Sequence, residues 1–210
     1  MEIEKFELGP VMTNAYLVYD ETKGTGVVID PGMNPDPLID RISDLKLKIE
    51  AILLTHAHLD HIGGLEEVRT RFKAPVYIHE LEQSWLSEPK LNGSAFFPGF
   101  TPIVCKPAEN TLTGTETLSL LDEQIQVLHT PGHTPGSVTF YWDGLAFSGD
   151  ALFQNSIGRT DLPGGDYDIL MKSIRNTLME MPDETRVLSG HGPETTIGQE
   201  RVHNPFVTGM

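Results

Sequence analysis

Cysteine is almost absent from this 210-residue chain, which contains only Cys105. A single cysteine cannot form an intrachain disulfide, and this composition fits a protein of a reducing compartment. We interpret Cys105 as a small buried hydrophobic residue rather than as a nucleophile. The chain therefore depends on its hydrophobic core, not on covalent crosslinks, for stability.

Basic residues are also scarce, with 15 Lys and Arg against 30 Asp and Glu and a formal net charge of −15. A protein that binds nucleic acid needs clustered Lys and Arg side chains to displace counterions from phosphates. No cluster of that kind is visible in the sequence, so we predict no nucleic-acid partner and disfavour nuclease functions. The acidic charge mainly favours solubility and says little about the substrate.

Long hydrophobic runs are missing. The longest aliphatic run covers residues 51–54, far short of the roughly 20 residues that a transmembrane helix requires. The first ten residues, MEIEKFELGP, are acidic and lack the apolar core of a secretory signal. We therefore predict a cytoplasmic protein with no membrane partner, and the sequence leaves its oligomeric state open.

Short strand-like runs alternate with helical patterns along the chain. Predicted strands cover residues 3–8, 15–19, 26–30, 51–55, 76–79, 117–121, 125–130, 137–142, 145–148 and 186–189. Predicted helices cover residues 37–45, 64–71, 80–86 and 166–180, and residues 88–102 form a predicted Pro- and Gly-rich loop. Because no break in composition divides the chain, we predict one α/β domain over residues 1–210, built from layered sheets and helices.

The strongest motif is the segment THAHLDH, residues 55–61, directly after a predicted buried strand. It places four potential metal ligands within six residues. His56 and His58 are two positions apart, so in extended backbone they point to the same side. Asp60 and His61 are adjacent in the chain. They can face the metal that His56 and His58 bind only if the loop turns. The simplest solution is two metals side by side, one for each half of the motif.

Three further candidate ligands follow apolar strands and lie next to glycines. They are His133 in TPGHTPG, Asp150 in SGD and His191 in SGHG. Glycine lets a loop approach a crowded centre closely, and layered folds assemble their sites from residues at strand ends. We therefore expect these three side chains to meet the residues of the histidine motif.

The donor set predicts a catalytic centre with two divalent metal ions. We assign His56, His58 and His133 to one ion, Asp60, His61 and His191 to the other, and Asp150 to a bridge. Imidazole and carboxylate without thiolate suit zinc, although iron and manganese are also possible. Each ion keeps a position open for a shared hydroxide, which is typical of a catalytic site. Isolated histidines in loops are usually structural, but seven compatible ligands are poorly explained by coincidence.

These residues resemble the metallo-β-lactamase superfamily, in the His-x-His-x-Asp-His motif and in the order of the later ligands. The resemblance extends from the segment DPG at residues 30–32 to His191. It implies an αββα sandwich with the metal site at the edge between the two sheets. It also implies that Asp30 supports a metal ligand, whereas the sequence alone is equally consistent with an aspartate in a turn.

Within the superfamily the chain looks like the small glyoxalase II-like (hydroxyacylglutathione hydrolase-like) branch. The segment FQNSIGRTDLPGGD, residues 153–166, carries this resemblance. Many lactamases of the commonest zinc class have a cysteine ligand where this chain has Asp150. Full-length glyoxalase II enzymes add a helical domain that binds glutathione, and only 19 residues follow His191 here. We therefore expect thioester chemistry without that helical domain, and the thiol is left open.

The resemblance implies a metal-dependent hydrolase whose substrates are small-molecule thioesters of the S-2-hydroxyacyl type. It would cleave them through a hydroxide that bridges the two metals. Asp60 and Asp150 would take part in catalysis as metal ligands. A thiolate leaving group needs little protonation, because a thiol has a pKa of about 8.5. Arg159 is the candidate for binding a substrate carboxylate, and the alternative is an ion pair with Asp161 or Asp166 that orders its loop.

Other interpretations stay open at this stage. A persulfide dioxygenase of the same fold would use one iron and shares a Gly-Arg-Thr-Asp segment like residues 158–161. A binding protein of this fold would have lost ligands, and none is lost. The aromatic segment around residues 96–100 is either a pocket wall or a cover over the core, and the second is preferred. The remaining histidines are interpreted as structural: His79, His129 and His203.

Overall fold

The first of two mixed β-sheets is built largely from the N-terminal half of the chain. The computed structural model describes residues 1–97 and 101–208. The sheet has six strands, in spatial order β1 (Glu2–Leu8), β2 (Thr13–Asp20), β3 (Thr25–Ile29), β4 (Lys48–Leu53), β5 (Val76–His79) and β6 (Asn110–Leu112). Strands β1 to β3 pair antiparallel, and β3 to β6 pair parallel. The parallel strands therefore end at one edge of the sheet.

The second sheet is formed by the C-terminal half. Its six strands lie in the order β14 (Thr195–Thr196), β13 (Arg186–Ser189), β10 (Leu145–Gly149), β9 (Val138–Trp142), β8 (Glu123–His129) and β7 (Thr117–Leu120). Only β10 and β13 pair parallel, and both lead into loops with candidate ligands. A small hairpin, β11 (Leu152–Phe153) and β12 (Ser156–Ile157), follows β10.

Alternating side chains explain how the two sheets pack. On β4, Ala51 and Leu53 belong to the core between the sheets, whereas Ile52 belongs to the core on the outer face. On β10, Phe147 faces the other sheet and Ala146 faces outward. Because successive residues of a strand point to opposite faces, an apolar run such as that of β4 is buried on both sides.

Helices cover the outer face of each sheet. Helices α1 (Asp36–Asp44), α2 (Leu59–Ile62) and α3 (Leu65–Phe72) contribute to the outer core of the first sheet, together with the 3-10 helix Glu80–Ser87. Helices α4 (Tyr167–Asn176) and α5 (Ile197–His203) contribute to the outer core of the second sheet. The predicted αββα sandwich is confirmed. No helix in the described ranges is long and apolar enough to cross a membrane.

Several elements differ from their predicted form. The segment predicted as one helix over residues 166–180 divides at Thr177 into α4 and a 3-10 turn, Leu178–Glu180. Asp166 caps α4, because its carboxylate accepts a hydrogen bond from the Ile169 amide at 2.9 Å. The predicted loop over residues 88–102 contains the 3-10 turn Ser94–Phe96. Part of the aromatic segment in that loop, residues 98–100, lies outside the described residues.

Candidate metal centre

The histidine motif, residues 55–61, runs from the loop after β4 into α2. His58 has an extended backbone, with φ −69° and ψ 150°, and α2 begins at the next residue. The chain thus changes from strand-like to helical geometry inside the motif. This turn lets His56 and His58 face one side while Asp60 and His61 approach from a different direction.

Three imidazoles from two distant loops meet at one point. His56 Nε2 lies 3.1 Å from His58 Nδ1, and His58 Nδ1 lies 2.8 Å from His133 Nε2. All three rings are buried. The Nδ1 of His133 donates a hydrogen bond to the carbonyl oxygen of Arg159 at 2.7 Å, so its Nε2 faces the other two rings. The structure brings together the three histidines that we assigned to one ion.

The second set of predicted ligands lies beside the first. His191 Nε2 is 3.1 Å from Asp60 Oδ2, and His61 Nε2 is 3.5 Å from the same oxygen. Their ligand atoms form one of the groups that are compact enough to hold a metal ion. Asp60 thus has two imidazole nitrogens within 4 Å, as expected for a shared ion.

Asp150 lies between the two sets. Its Oδ1 is 3.3 Å from His61 Nε2, and its Oδ2 is 3.6 Å from both His133 Nε2 and His191 Nε2. The side chain therefore reaches members of each cluster, which is the position that a bridging carboxylate would take.

Residues outside the ligand set orient two of its members. The Asp30 carboxylate accepts hydrogen bonds from His61 Nδ1 at 2.9 Å and from the Thr55 amide and hydroxyl at 2.8 and 2.6 Å. Asp30 therefore supports His61, as the family resemblance implied. The Thr13 hydroxyl donates to Asp60 Oδ2 at 2.7 Å. The roles of Thr13 and Thr55 were not predicted, because neither residue carries a sequence signal for such a contact.

The pKa shifts of the predicted ligands favour the binding of a metal cation at this centre. Burial lowers the pKa of His56 and His133, and burial with the neighbouring His133 lowers that of His58 to about 3. These rings are therefore neutral at physiological pH, which is the form that binds metal. For Asp60, burial acts against ionisation, but His61, His191 and Thr13 together outweigh it and hold the pKa below its ordinary value.

The residues present fit a pair of metal ions. His61 Nε2 and Asp150 Oδ1 are buried and have no hydrogen-bond partner within the described part of the chain. Burying such atoms without a partner is costly, and both are ligand types that divalent zinc and iron accept. The donor set and the unpartnered atoms together mark the centre as a candidate metal site.

A cavity of about 230 Å³ opens directly onto the centre. Its floor is polar and its walls are largely apolar. The lining residues are Val11, Met33, His58, Leu59, Asp60, Gly93, Phe97, His133, Asp150, Arg159, Leu162 and His191. Five of the seven predicted ligands therefore face a space that can admit a small molecule.

Arg159 lines this cavity, and its side chain is paired. Its guanidinium donates to both carboxylate oxygens of Asp161, at 2.7 and 2.8 Å, and both side chains are more than half exposed. The structure therefore places Arg159 beside the site and also forms the loop-ordering pair that we considered as the alternative. An ion pair this exposed to solvent is weak, so a ligand can compete for the guanidinium.

The three spare histidines lie elsewhere. His79 and His129 stack with ring centroids 4.4 Å apart and an interplanar angle of 12°. His79 caps the 3-10 helix Glu80–Ser87 by accepting a hydrogen bond from the Leu81 amide, and His129 bonds the Pro135 carbonyl. His203 is an exposed residue at the end of α5. None of them belongs to the candidate metal groups found in the described residues.

The family model for the metallo-beta-lactamase superfamily matches residues 8–191, which include every predicted ligand. The chain belongs to the metallo-β-lactamase superfamily. Two relatives match it over nearly their whole length. The probable metallo-hydrolase YqgX of Bacillus subtilis is 42% identical, with 100% of this chain and 99% of the relative covered. The hydroxyacylglutathione hydrolase GloC of Haemophilus influenzae is 37% identical, with 99% and 98% covered.

Solved structures of the superfamily agree with this membership. The BLEG-1 B3 metallo-beta-lactamase superimposes with a TM-score of 0.94 at 48% identity, covering 99% of this chain and 100% of that one. The protein TTHA1623, crystallised in a di-iron-bound form, superimposes with a TM-score of 0.84 at 41% identity, covering 97% and 99%. This chain is therefore a superfamily member with a candidate His/Asp metal site. The names of the two similar structures point to different properties, since one is named as a lactamase and the other for its two iron ions.

Proposed function

We propose that this protein is a dinuclear-metal hydrolase of S-2-hydroxyacyl thioesters. The observation that carries the proposal is the arrangement of seven ligands in two clusters around Asp150, at the floor of an open cavity. The name of the relative GloC supports the same chemistry. Small thioesters fit a cavity of about 230 Å³ better than a macromolecular substrate does.

Each ligand set would hold one ion. His56, His58 and His133 would bind the first, and Asp60, His61 and His191 the second, with Asp150 shared. Zinc is the metal that we favour for these donors, although TTHA1623 was crystallised with iron. When bound, two such ions supply a nucleophilic hydroxide at neutral pH and polarise the substrate carbonyl.

The other lining residues favour a thioester over an amide. The apolar side chains of Met33, Leu59 and Leu162 would hold the acyl part and exclude water from it. An amide nitrogen must be protonated to leave, whereas a thiolate needs little help. Apart from the predicted metal ligands, Arg159 is the one titratable residue among the described lining residues, and a guanidinium is a poor proton donor.

Two other activities have specific support. The similarity to BLEG-1 favours hydrolysis of β-lactams. A persulfide dioxygenase would use a single iron, and each candidate group of His and Asp ligand atoms could hold one ion. We favour the thioesterase because the second ligand set is complete and because the described lining of the cavity offers no proton donor for a lactam nitrogen.

A substrate panel tests the proposal. Protein purified without added metal is first analysed for its metal content, and then assayed without oxygen on S-lactoylglutathione, S-lactoyl-N-acetylcysteamine, a penicillin and a cephalosporin. We expect two metals per chain and thioester turnover that exceeds lactam turnover by orders of magnitude. A better rate on a lactam would assign the protein as a lactamase. One iron per chain, with oxygen-dependent oxidation of glutathione persulfide, would assign it as an oxygenase.

The same substrates test Arg159. A partly desolvated charge-assisted hydrogen bond contributes about 1.5–3 kcal/mol, so Arg159→Ala should raise KM for S-lactoylglutathione about tenfold or more. Turnover should change less than KM, because the contact is remote from the bond that breaks. The KM for the N-acetylcysteamine thioester should not change in Arg159→Ala, because that substrate has no carboxylate. Substitution of the exposed Arg71 should leave the KM for both thioesters unchanged. Equal losses on both thioesters would reduce Arg159 to a loop-ordering residue.

A further inference from the structure

Glu82 is a fully buried carboxylate directly behind the candidate metal centre. It lies on the 3-10 helix Glu80–Ser87 and has no exposed surface. The same helix places Trp85 against the His58 ring, with centroids 6.1 Å apart. A polar side chain at such a position needs partners, because burying a charge without hydrogen bonds is strongly unfavourable.

The partners of Glu82 come from the two loops that supply the three-histidine cluster. Oε2 accepts a hydrogen bond from the Ala57 amide at 2.6 Å, and Oε1 accepts one from the Gly136 amide at 2.8 Å. Ala57 lies between His56 and His58 in the chain, and Gly136 follows His133 by three residues. One side chain thus joins the two loops whose imidazoles must converge on the same point.

The chemistry of these contacts favours a carboxylate. Each of the two carboxylate oxygens faces one backbone amide donor, that of Ala57 or that of Gly136. A carboxylate can accept all of these bonds, whereas the amide group of glutamine would turn its own N–H groups toward one of the donors. None of the ion pairs found in residues 1–97 and 101–208 includes Glu82. Burial raises the pKa of this carboxyl to about 7, against the backbone hydrogen bonds from Ala57 and Gly136, which act to lower it.

Gly136 makes the approach possible. A Cβ atom at this position would lie 2.9 Å from Glu82 Cγ and 3.0 Å from Oε1. Any side chain there would push the carboxylate away from the loop. Glu82 can therefore reach the loop of His133 only because residue 136 has no side chain.

We propose that Glu82 is a positioning residue for the three-histidine site, setting the distance between the loop of His56 and His58 and the loop of His133. This inference rests on the proposed metal centre. Groups that orient metal ligands from outside typically change metal affinity or activity by about 10- to 100-fold when they are removed. Glu82 acts on the ligands through the backbone and does not reach the cavity, whose described lining does not include it.

The test is metal affinity, measured on the whole chain by competition with a chromophoric chelator. Glu82→Gln keeps the shape of the side chain, and Glu80→Gln, at an exposed position of the same helix, is the matched control. We expect Glu82→Gln to weaken one of two binding steps by about 10- to 100-fold, and Glu80→Gln to change neither. The absorption spectrum of the cobalt-loaded protein should change in Glu82→Gln, because the ligand geometry changes.

Further variants separate the possible failures. His56→Ala should weaken the same step as Glu82→Gln, whereas Asp60→Asn should weaken the other step. If Glu82→Gln does not fold, Gly136→Ala should produce the same loss from the opposite side of the contact. Unchanged affinity and spectrum, with only a lower melting temperature, would show that Glu82 is merely structural. If His56→Ala also keeps full affinity, the proposed metal centre itself is wrong.

Discussion

Asp150 is the residue on which the two-ion interpretation depends most directly. Its two oxygens face different neighbours, with Oδ1 toward His61 and Oδ2 toward His133 and His191. The pKa of this buried carboxyl is lowered, which favours its ionised form: burial opposes the shift, and His61, His133 and His191 together outweigh burial. It could therefore serve both of the proposed ions at once.

Replacing this carboxylate should remove the bridge without removing the fold. We expect Asp150→Ala to lower the metal content from two ions per chain to one or fewer and to abolish turnover, while the circular dichroism spectrum stays unchanged. Metal analysis of the dialysed protein is the measurement. Asp40→Ala, on the exposed side of α1, is the control. Full activity in Asp150→Ala would rule out a bridging role.

The sequence predicts ligands better than it predicts the residues that hold them. His56, His133 and Asp150 are marked by a dense motif or by a glycine after an apolar strand. Glu82 and Thr13 carry no such mark, because their hydrogen bonds join segments that are far apart in the chain. Only a fold can bring those partners together, so these roles become visible with the structure.

At the scale of elements, five of the seven predicted ligands lie on short loops at strand ends, the other two lie in α2, and these segments pack against one another. The Gly190 amide donates a hydrogen bond to the Gly149 carbonyl at 2.8 Å, and the Asn14 amide donates to the Gly190 carbonyl at 2.7 Å. These bonds join the start of β2, the end of β10 and the loop after β13. A change in one loop should therefore affect the ligands of another.

Gly190 tests this coupling. A Cβ atom at Gly190 would overlap Asp150 Oδ1 and the His61 ring, so Gly190→Ala should displace two predicted ligands that belong to other loops. We expect a loss of metal binding and of activity of at least about tenfold, in line with other disturbances next to metal ligands. The measurements are metal content and thioester turnover.

Gly24→Ala is the matched control for that substitution. Gly24 has φ +66° and open space where a Cβ atom would lie, whereas Gly190 is crowded. Gly24→Ala should therefore cost some stability, because alanine disfavours this backbone conformation, but it should keep its metals. Equal metal loss in both variants would contradict the packing argument.

Most of the elements that the sequence does not predict are short, although the seven-residue helix α5 is missed as well. Helix α2 has four residues, β6 has three and β14 has two. Periodicity needs more than one turn of helix or several strand residues to be recognisable. The four-residue strands β5 and β13 are nevertheless predicted with the same bounds that the structure shows, because their apolar runs end at clear turn residues.

At the scale of the whole molecule, the two sheets place the carboxyl ends of β4, β10 and β13 at one edge of the sandwich, where all seven predicted ligands meet. Composition and periodicity indicate an α/β protein but do not determine the order of strands. The arrangement of the sheets follows instead from the resemblance of the ligand motifs to a known superfamily, which the family match confirms.

Metal binding, proton binding and folding should be linked in this centre. In the metal-free protein, burial acts to lower the pKa of His61, but Asp60, Asp150 and Asp30 outweigh it and raise the pKa well above its ordinary value. The pKa of His191 is raised as well: burial opposes the shift, and Asp60 and Asp150 outweigh it. The protonated form of both rings therefore persists to higher pH than in a free imidazole when no metal is bound.

A protonated imidazole must lose its proton before it can bind a metal ion. Proton and metal thus compete for His61, and the metal has the advantage as the pH rises through the raised pKa. Because a ligand that binds only the folded state stabilises it by about 4 kcal/mol at 1,000 times its dissociation constant, the melting temperature reports this competition. We expect zinc to raise the melting temperature more at pH 8 than at pH 6.

Calorimetry should show the released protons directly. Zinc titrations at pH 7 in two buffers with different ionisation enthalpies should reveal net proton release, and His61→Asn should reduce that release. His203→Gln, which changes an exposed histidine outside the candidate metal groups, should leave it unchanged. Metal binding without proton release, or a stabilisation that grows as the pH falls, would mean that His61 is already neutral in the metal-free protein. In that case its three neighbouring carboxylates do not control its charge.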